Sequence, residues 1–224
     1  MNHLRARAEH LLRTEGVRGL LTGLGRHVRV LRRSVFCVDR YVICRFDTDA
    51  SSLAPQRPDI DGLEVVVLER DEDVERLIGE GFDVPPFHPS FRREWLQRGG
   101  VAVCAFVHRQ PAHIGWVALS ADARGCCDGL PYRVDFEHGE ACWGGAYTWP
   151  RFRGRGLYAY VCGVRLKYMR EHGFTSCRDA VEVRNVASLK GQAPWHPGPC
   201  LSGCFVRFLR WTSWREQPYE GVLP

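Results

Sequence analysis

A strand, a glycine-rich turn and a long helix follow one another in the second half of the chain. The strand is predicted over Ala141–Thr148 and the helix over Leu157–His172, and the turn reads Arg151-Phe152-Arg153-Gly154-Arg155-Gly156. Glycines let the backbone approach a ligand closely. The unpaired amides of the first helical turn then face an anion, and the helix dipole adds partial positive charge. We therefore expect an anion site here, surrounded by the three arginines of the turn.

The flanking segments predict a mixed α/β sheet. Apolar runs and helix signals predict these elements: strand Val35–Phe46, strand Leu63–Leu68, helix Asp71–Glu80, helix Ser90–Arg98, strands Val101–Val107 and Ile114–Ser120, strand Ser176–Val183, short helix Asn185–Gln192 and strand Cys204–Trp214. The strands Val101–Val107 and Ile114–Ser120 are predicted to form an antiparallel hairpin whose loop contains Pro111 and exceeds two residues. The strand after the long helix implies a right-handed βαβ crossover.

Three regions are predicted along the chain. Residues 1–50 form a basic helical extension plus a strand, residues 51–61 a linker rich in Ser, Pro and Asp, and residues 62–224 the main domain. In residues 1–33, leucines at helical spacing alternate with eight arginines. Such a segment either packs on the domain as an amphipathic helix or meets a membrane surface or an acidic partner.

Charge and cysteine usage restrict the class of protein. The net charge of +5 suits an anionic ligand, but no element carries the dense basic stripe of a nucleic-acid binder, so we expect no nucleic-acid partner. Five of the ten cysteines fall in apolar runs and are predicted to be small buried thiols: Cys44, Cys104, Cys142, Cys162 and Cys177. With no secretory leader and no transmembrane segment in the sequence, the expected compartment is the cytoplasm.

The turn, the strand before it and the helix after it resemble the GCN5-related N-acetyltransferase (GNAT) superfamily. The match rests on the pattern R-x-x-G-x-G at Arg151–Gly156 and on Asn185-Val186-Ala187-Ser188 opening the next short helix. The order of elements from Leu63 to Trp214 also agrees. The resemblance implies a GNAT-like mixed sheet, with antiparallel N-terminal strands and a βαβ crossover around the turn, and an N-terminal helical extension.

The resemblance also implies a site for acetyl-CoA or another acyl-CoA. Backbone groups of Tyr147, Thr148 and Trp149 would pair with the pantetheine arm as an added strand does. Amides from Arg151 to Leu157, including those of Arg153, Gly154, Arg155 and Gly156, would bind the pyrophosphate. Asn185 would reach the pantetheine or the catalytic end, or act as an ordinary helix N-cap, and Ser188 would lie near the cofactor.

The implied activity is acyl-CoA-dependent N-acyl transfer, most simply N-acetylation, by direct attack of an amine on a thioester. The acceptor is a small-molecule or peptide amine, and an acyl carrier protein is a possible donor partner. The superfamily often has a Tyr seven residues after the Asn as general acid, but this chain has Gln192 there. This leaves a second hypothesis open, a non-catalytic module that binds acyl-CoA or a carrier protein.

Glu140 is the first candidate for the general base, together with Asn185 as a catalytic residue. Glu140 lies eleven residues before Arg151, at the start of the strand, and histone acetyltransferases of the superfamily have a basic Glu at a similar spacing. The other reading of Glu140 is a solvated residue at a strand end. Alternates are His138, Glu137 and Glu182, and His88 is a candidate contact for the acceptor.

Two other readings of the motifs are weaker. Gly154–Ala159 also fits the dinucleotide fingerprint G-x-G-x-x-A, with Asp179 about 20 residues on, but a Rossmann domain needs several more parallel strands. His196, Cys200 and Cys204 offer three metal ligands without the paired spacing of a structural zinc site. We therefore expect no metal.

Overall fold

The structure is a computed structural model that describes residues 35–53, 57–84, 90–198 and 201–221. The predicted helical extension over residues 1–33, and the candidates His88 and Cys200, lie outside these residues. The chain divides into two compact units. Of the described residues, those up to Arg40 and Cys204–Arg215 belong to one unit, and those between Tyr41 and Gly203 and from 216 to 221 belong to the other. The predicted boundary at residues 51–61 stays a prediction.

Among the residues that the structure describes, six strands build the sheet of the larger unit. They are β1 (Phe36–Asp47), of which Tyr41–Asp47 belongs to this unit, β2 (Leu63–Leu68), β3 (Gly100–Val107), β4 (Gln110–Ala118), β5 (Glu140–Thr148) and β6 (Ser176–Glu182). They lie in the order β2-β3-β4-β5-β6-β1. Each neighbouring pair is antiparallel except β5 and β6, which are parallel. The predicted mixed sheet and its βαβ crossover are therefore confirmed.

In the described part of the chain, four α-helices accompany the strands: α1 (Asp71–Gly79), α2 (Arg93–Gln97), α3 (Leu157–Glu171) and α4 (Val186–Gln192). Helix α3 makes the crossover from β5 to β6, and its apolar side packs with Trp143 and Cys177 in the core. Gly173 ends it as predicted, because its φ of +85° allows the amide of Phe174 to reach the carbonyl of Met169 at 3.0 Å.

The five cysteines predicted to be small buried thiols are confirmed as buried and free: Cys44, Cys104, Cys142, Cys162 and Cys177. None of the five is more than 5% exposed. Their positions on β1, β3, β5, α3 and β6 follow from the apolar runs in which they lie.

The hairpin between β3 and β4 differs from the prediction. Its loop has only two residues, His108 and Arg109, with φ of 48° and 62°. Pro111 is the second residue of β4 and not part of the loop. Two successive residues of positive φ match the twist of the flanking strands, a geometry usually signalled by Asn-Gly. The sequence His-Arg carries no such signal.

Other boundaries were also wrong. The second helix begins after Arg92 and does not use Ser90 as its cap. The predicted strand Cys204–Trp214 is two strands, β7 (Leu201–Phe208) and β8 (Trp211–Pro218), because Leu209 adopts a φ of 55° and the chain reverses there. A 3-10 turn over Thr48–Leu53 overlaps the start of the predicted linker, whose bounds are not tested by it.

Trp195 joins the segment after α4 to helix α3. Its side chain is fully buried, and its Nε1 donates a hydrogen bond to the carbonyl of Ala159 at 3.2 Å. A Cβ atom at Gly163 would overlap the indole ring. The absence of a side chain at Gly163 therefore lets the indole lie against the helix.

We expect Gly163→Ala to lower the free energy of unfolding by about 1–3 kcal/mol, because overpacking outweighs the better helix propensity of alanine. Urea denaturation followed by circular dichroism measures this. Gly79→Ala is the matched control, since a Cβ there has no heavy atom within 4 Å. A Gly163→Ala protein as stable as the control variant would contradict the packing argument.

Candidate functional site

Strands β5 and β6 separate soon after they meet. Their parallel pairing consists of Glu140 with Ser176, Ala141 with Cys177 and Cys142 with Arg178. Beyond this point β5 continues beside β4, where Tyr147 and Thr148 still have partners. Parallel strands that diverge leave an opening in the sheet, and here the opening lies at the carboxyl end of β5.

A cavity of about 590 Å³ lies at this opening, and we name it the strand-edge cavity. Its walls come from the end of β5, the glycine turn, the first turn of α3, helix α4 and one residue of β4. The lining residues are His113, Ala146, Tyr147, Thr148, Phe152, Arg153, Gly154, Gly156, Leu157, Tyr158, Ala159, Asn185, Ala187, Ser188 and Gly191.

The amino end of α3 faces this cavity with unused hydrogen-bond donors. Gly154 and Gly156 adopt φ of +74° and +76°, which bends the chain sharply into the helix. The first helical bond runs from the amide of Tyr160 to the carbonyl of Gly156 at 3.1 Å. The preceding amides, up to Ala159, have no acceptor within the helix, and no side chain of the described residues caps them. This end can bind an anion.

Most of the predicted cofactor residues lie together here. The cavity wall includes Tyr147, Thr148, Arg153, Gly154, Gly156, Leu157, Asn185 and Ser188. Arg153 is held in place because its Nε donates to the carbonyl of Thr148 at 3.0 Å. Trp149 does not line the cavity, and its amide donates to Ala112 of β4. Arg151 and Arg155 line a different cavity.

Glu140 lies far from the strand-edge cavity. It starts β5, six residues before Ala146, which places it about 20 Å away along an extended strand. Its Oε1 accepts a hydrogen bond from Arg178 at 2.9 Å and lies 3.5 Å from Nε of Arg45. Its Oε2 accepts from the amide of Asp135 at 3.0 Å. The geometry therefore argues against Glu140 as the base and for a structural ion pair.

Two of the alternates to Glu140 are paired with other charged residues. His138 forms an exposed pair with Asp135 at 2.8 Å, and Glu182 lies 4.0 Å from Arg184. Neither of them, nor Glu137, lines the strand-edge cavity.

Asn185 has the N-cap role that the sequence left open. Its Oδ1 accepts a hydrogen bond from the amide of Ser188 at 3.2 Å. Both residues also line the cavity. The cap fixes the start of α4 beside the end of β5, so it positions the cavity wall whatever else Asn185 contacts.

His113 is a cavity residue that the sequence analysis missed. It is 1% exposed, its Nδ1 lies 2.7 Å from Oγ1 of Thr148, and its Nε2 is buried with no partner among the described residues. Burial, and secondarily the charge of Arg165, lower the pKa of His113 to about 3. The ring is therefore neutral at physiological pH. A single His within the apolar strand Pro111–Ala118 was the available signal.

Tyr158 and Gln192 form a second group that the sequence did not reveal. The hydroxyl of Tyr158 lies 2.9 Å from Oγ of Ser188 and accepts a hydrogen bond from Nε2 of Gln192 at 2.8 Å. The same Gln192 amide donates to Asp179. Burial raises the pKa of Tyr158, so its hydroxyl stays protonated. Gln192, at the position where the superfamily often has a Tyr, therefore holds a different Tyr at the cavity wall.

The order of strands, the parallel pair that diverges and the glycine turn before α3 together define the architecture. The fold is GNAT-like. Asp179 is buried and bonded to Gln192, and the described strands include one parallel pair, which does not fit the dinucleotide-binding alternative. Within the described ranges, which omit Cys200, no cluster of three His, Cys, Asp or Glu side chains could hold a metal ion.

Solved structures similar to this chain include acetyltransferases. A GCN5-related N-acetyltransferase from Kribbella flavida is 18% identical over 69% of this chain and 53% of its own, with a TM-score of 0.41. A GNAT-family acetyltransferase from Colwellia psychrerythraea is 15% identical over 78% and 56%, with a TM-score of 0.45. A functionally unknown conserved protein from Staphylococcus epidermidis is 12% identical over 79% and 65%, with a TM-score of 0.45.

The present chain thus spans between 53% and 65% of the length of these three proteins. No protein-family model and no curated protein matches the sequence. In the part of the chain that the structure describes, no helix combines the length and the apolar character needed to cross a membrane.

Proposed function

We propose that the protein is an acyl-CoA-dependent N-acyltransferase, most simply an N-acetyltransferase. The observation that carries the proposal is the strand-edge cavity, which places uncapped helix amides beside the diverging end of β5. The uncapped helix amides can bind a diphosphate, and the diverging end of β5 can pair with an extended arm that carries amide groups. Coenzyme A joins both chemical groups in one molecule.

The donor would lie across the cavity from the helix to the strand. Its pyrophosphate would accept hydrogen bonds from the amides between Gly156 and Ala159, with Arg153 nearby as a cation. The pantetheine arm would run along Ala146–Thr148, with Asn185 and Ser188 on the opposite wall. Of the residues predicted for the cofactor, Trp149, Arg151 and Arg155 have no place in this part of the site.

The reaction would be direct attack of a neutral amine on the thioester carbonyl. A donor amide near Tyr147 would stabilise the negative charge that develops on the carbonyl oxygen. As the C–S bond breaks, the protonated hydroxyl of Tyr158 could donate a hydrogen bond to the departing sulfur. With its pKa near 3, His113 is too weak a base to deprotonate an amine and instead orients Thr148. The amine proton would leave through water.

The partners in this proposal are an acyl-CoA and a small-molecule or peptide amine. An acyl carrier protein is the alternative donor, which the basic residues 1–33 would attract through charge. The buried free thiols suit a reducing compartment such as the cytoplasm. We propose no role in nucleic-acid binding.

A non-catalytic acyl-CoA-binding module is the second candidate. Two observations favour it. The carboxylate of Glu140 forms ion pairs with Arg45 and Arg178, and Gln192 stands where the superfamily often has a Tyr as general acid. Both candidates require donor binding in the strand-edge cavity. They differ only in turnover.

The test has two stages. Isothermal titration with coenzyme A and acetyl-CoA should show one site per chain, and failure of both to bind would overturn both candidates. Release of free thiol from acetyl-CoA is then followed across a panel of primary amines and amine-bearing peptides. Thiol release that depends on an added amine supports the transferase. Tight binding of acetyl-CoA with no thiol release in the presence of any amine supports the binding module.

A further inference from the structure

Five large apolar side chains are exposed at one end of the smaller unit, and we name them the hairpin-tip patch. They belong to the start of β1 and to the turn between β7 and β8, and each is between 48% and 59% exposed: Val35, Phe36, Phe208, Leu209 and Trp211. The amide of Leu209 donates a hydrogen bond to the carbonyl of Val35 at 2.5 Å, which brings the two segments together. An apolar surface of this kind marks a binding site, whereas single exposed apolar residues do not.

Positive charge accompanies the patch. The described residues of the smaller unit contain four arginines, Arg40, Arg207, Arg210 and Arg215, against one acidic residue, Asp39. In the part of the chain that the structure describes, none of the four arginines forms an ion pair with a carboxylate. Their guanidinium groups can therefore contact phosphate, while the aliphatic stems remain beside apolar groups.

The patch lies at a turn and not along one face of the sheet. Leu209 and Arg210 are the two residues of the turn, and Phe208 and Trp211 come directly before and after it. A protein partner would need a concave surface to cover the end of a hairpin, whereas a bilayer can surround a convex one. Tryptophan also suits the boundary between acyl chains and headgroups, because its ring is apolar and its N–H is a donor.

Two further observations favour a membrane over a second copy of the chain. Association of two tips would bring the four arginines of each copy together, and repulsion between like charges disfavours this. The sequence that leads into Val35 is itself basic, since residues 1–33 contain eight arginines with leucines at helical spacing. Such a sequence is typical of segments that lie on an anionic membrane surface.

We propose that the hairpin-tip patch binds the surface of a bilayer that contains anionic lipid. Phe208, Leu209 and Trp211 enter the boundary between headgroups and acyl chains, and Arg207 and Arg210 contact lipid phosphates beside them. The contact is peripheral, because the end of one hairpin reaches the headgroup region and does not span the acyl chains.

The test is sedimentation of the full chain with vesicles of two compositions. One contains phosphatidylcholine and phosphatidylglycerol in a ratio of about two to one, and the other contains phosphatidylcholine alone. The chain should sediment with the first and remain in solution with the second. Sodium chloride should weaken the binding, because it screens the arginines from the lipid phosphates.

The apolar contribution is measured with Leu209→Asn/Trp211→Thr. Asn tolerates the positive φ of Leu209 and Thr suits a strand, so the hairpin should persist, and circular dichroism checks this. The affinity for anionic vesicles should fall by at least about tenfold. Ile78→Gln/Val183→Thr is the matched control, since both residues are exposed apolar positions of the larger unit, and it should bind as the native chain does.

The contribution of charge is measured with Arg207→Gln/Arg210→Gln. Binding should weaken by about 25-fold, at about fivefold for each arginine, and should depend less on salt. Arg98→Gln/Arg170→Gln removes two exposed arginines of the larger unit and should leave the affinity unchanged.

Brominated acyl chains distinguish insertion from adsorption. They should quench tryptophan fluorescence less in Trp211→Phe than in the native chain, although both bind. Absence of binding, equal binding to the two vesicle compositions, or equal binding by the native chain and Leu209→Asn/Trp211→Thr would each overturn the proposal. Sedimentation velocity adds one more outcome: a native dimer that this variant converts to monomers would assign the patch to a second copy and overturn it as well.

Discussion

Replacing Gly154 by glutamate is expected to weaken coenzyme A binding by more than about 100-fold, or about 2.7 kcal/mol. The new carboxylate would lie in the wall of the strand-edge cavity, beside the amides to which we assign the diphosphate in the proposed function. It would compete for those amides and repel the ligand. Titration calorimetry with coenzyme A measures the change.

Gly173→Glu is the matched control for this variant. Gly173 has a φ of +85° against +74° for Gly154, both residues are exposed, and a Cβ at either has no heavy atom within 4 Å. Both variants therefore carry similar backbone strain, at opposite ends of the same helix. Equal binding by the two variants would show that the diphosphate does not use the start of α3.

Replacing Arg165 by methionine is expected to lower the free energy of unfolding by about 3–5 kcal/mol at pH 8. Arg165 is 1% exposed, with its guanidinium 4.6 Å from the ring centre of Trp143. Burial raises the pKa of Asp179 to about 6, and the charge of Arg165 holds it below the value that burial alone would give. Without Arg165, an ionised Asp179 is left buried without its counter-charge.

The pH dependence identifies the cause of this loss. The pKa of folded Asp179 is raised, so its contribution to stability is present below about pH 4 and lost as pH rises through about 6. In Arg165→Met the folded pKa is higher still, so the deficit should be large at pH 8 and smaller at pH 5. Urea denaturation at both pH values measures it.

Two further variants control this experiment. Adding Asp179→Asn to Arg165→Met removes the stranded charge and should restore part of the stability at pH 8. Arg170→Met changes an exposed arginine of the same helix and should have little effect. A deficit in Arg165→Met that is the same at pH 5 and pH 8 would mean that lost packing, not charge, is responsible.

Local rules were enough to predict the central part of the fold. The strand β5, the glycine turn and helix α3 are specified by neighbouring residues: an apolar run, two glycines of positive φ and Gly173 after the helix. The N-cap role of Asn185 could also be predicted, because its side chain accepts a hydrogen bond from Ser188, only three positions along the chain. Eight of the predicted cofactor positions line the cavity because they belong to these segments.

Contacts between residues far apart in the sequence could not be predicted from such local rules. His113 meets Thr148 only because β4 pairs with β5, and Tyr158 meets Gln192 only because α3 packs near α4. Glu140 was assigned from its spacing to the turn, but strand pairing puts it beside Arg178 and Arg45. The two-residue hairpin at His108 likewise depends on the register of its strands and lacks the usual turn residues.

The contact of Trp195 with α3 bears on how a ligand would enter. The indole is bonded to Ala159 and lies over Gly163, and a further ring, that of Tyr158, packs against Gly191 of α4. These contacts hold α3 and α4 together in the absence of a ligand. A receptor held in this way loses little conformational entropy on complex formation, so association should depend on diffusion and charge, with no slow rearrangement of the protein.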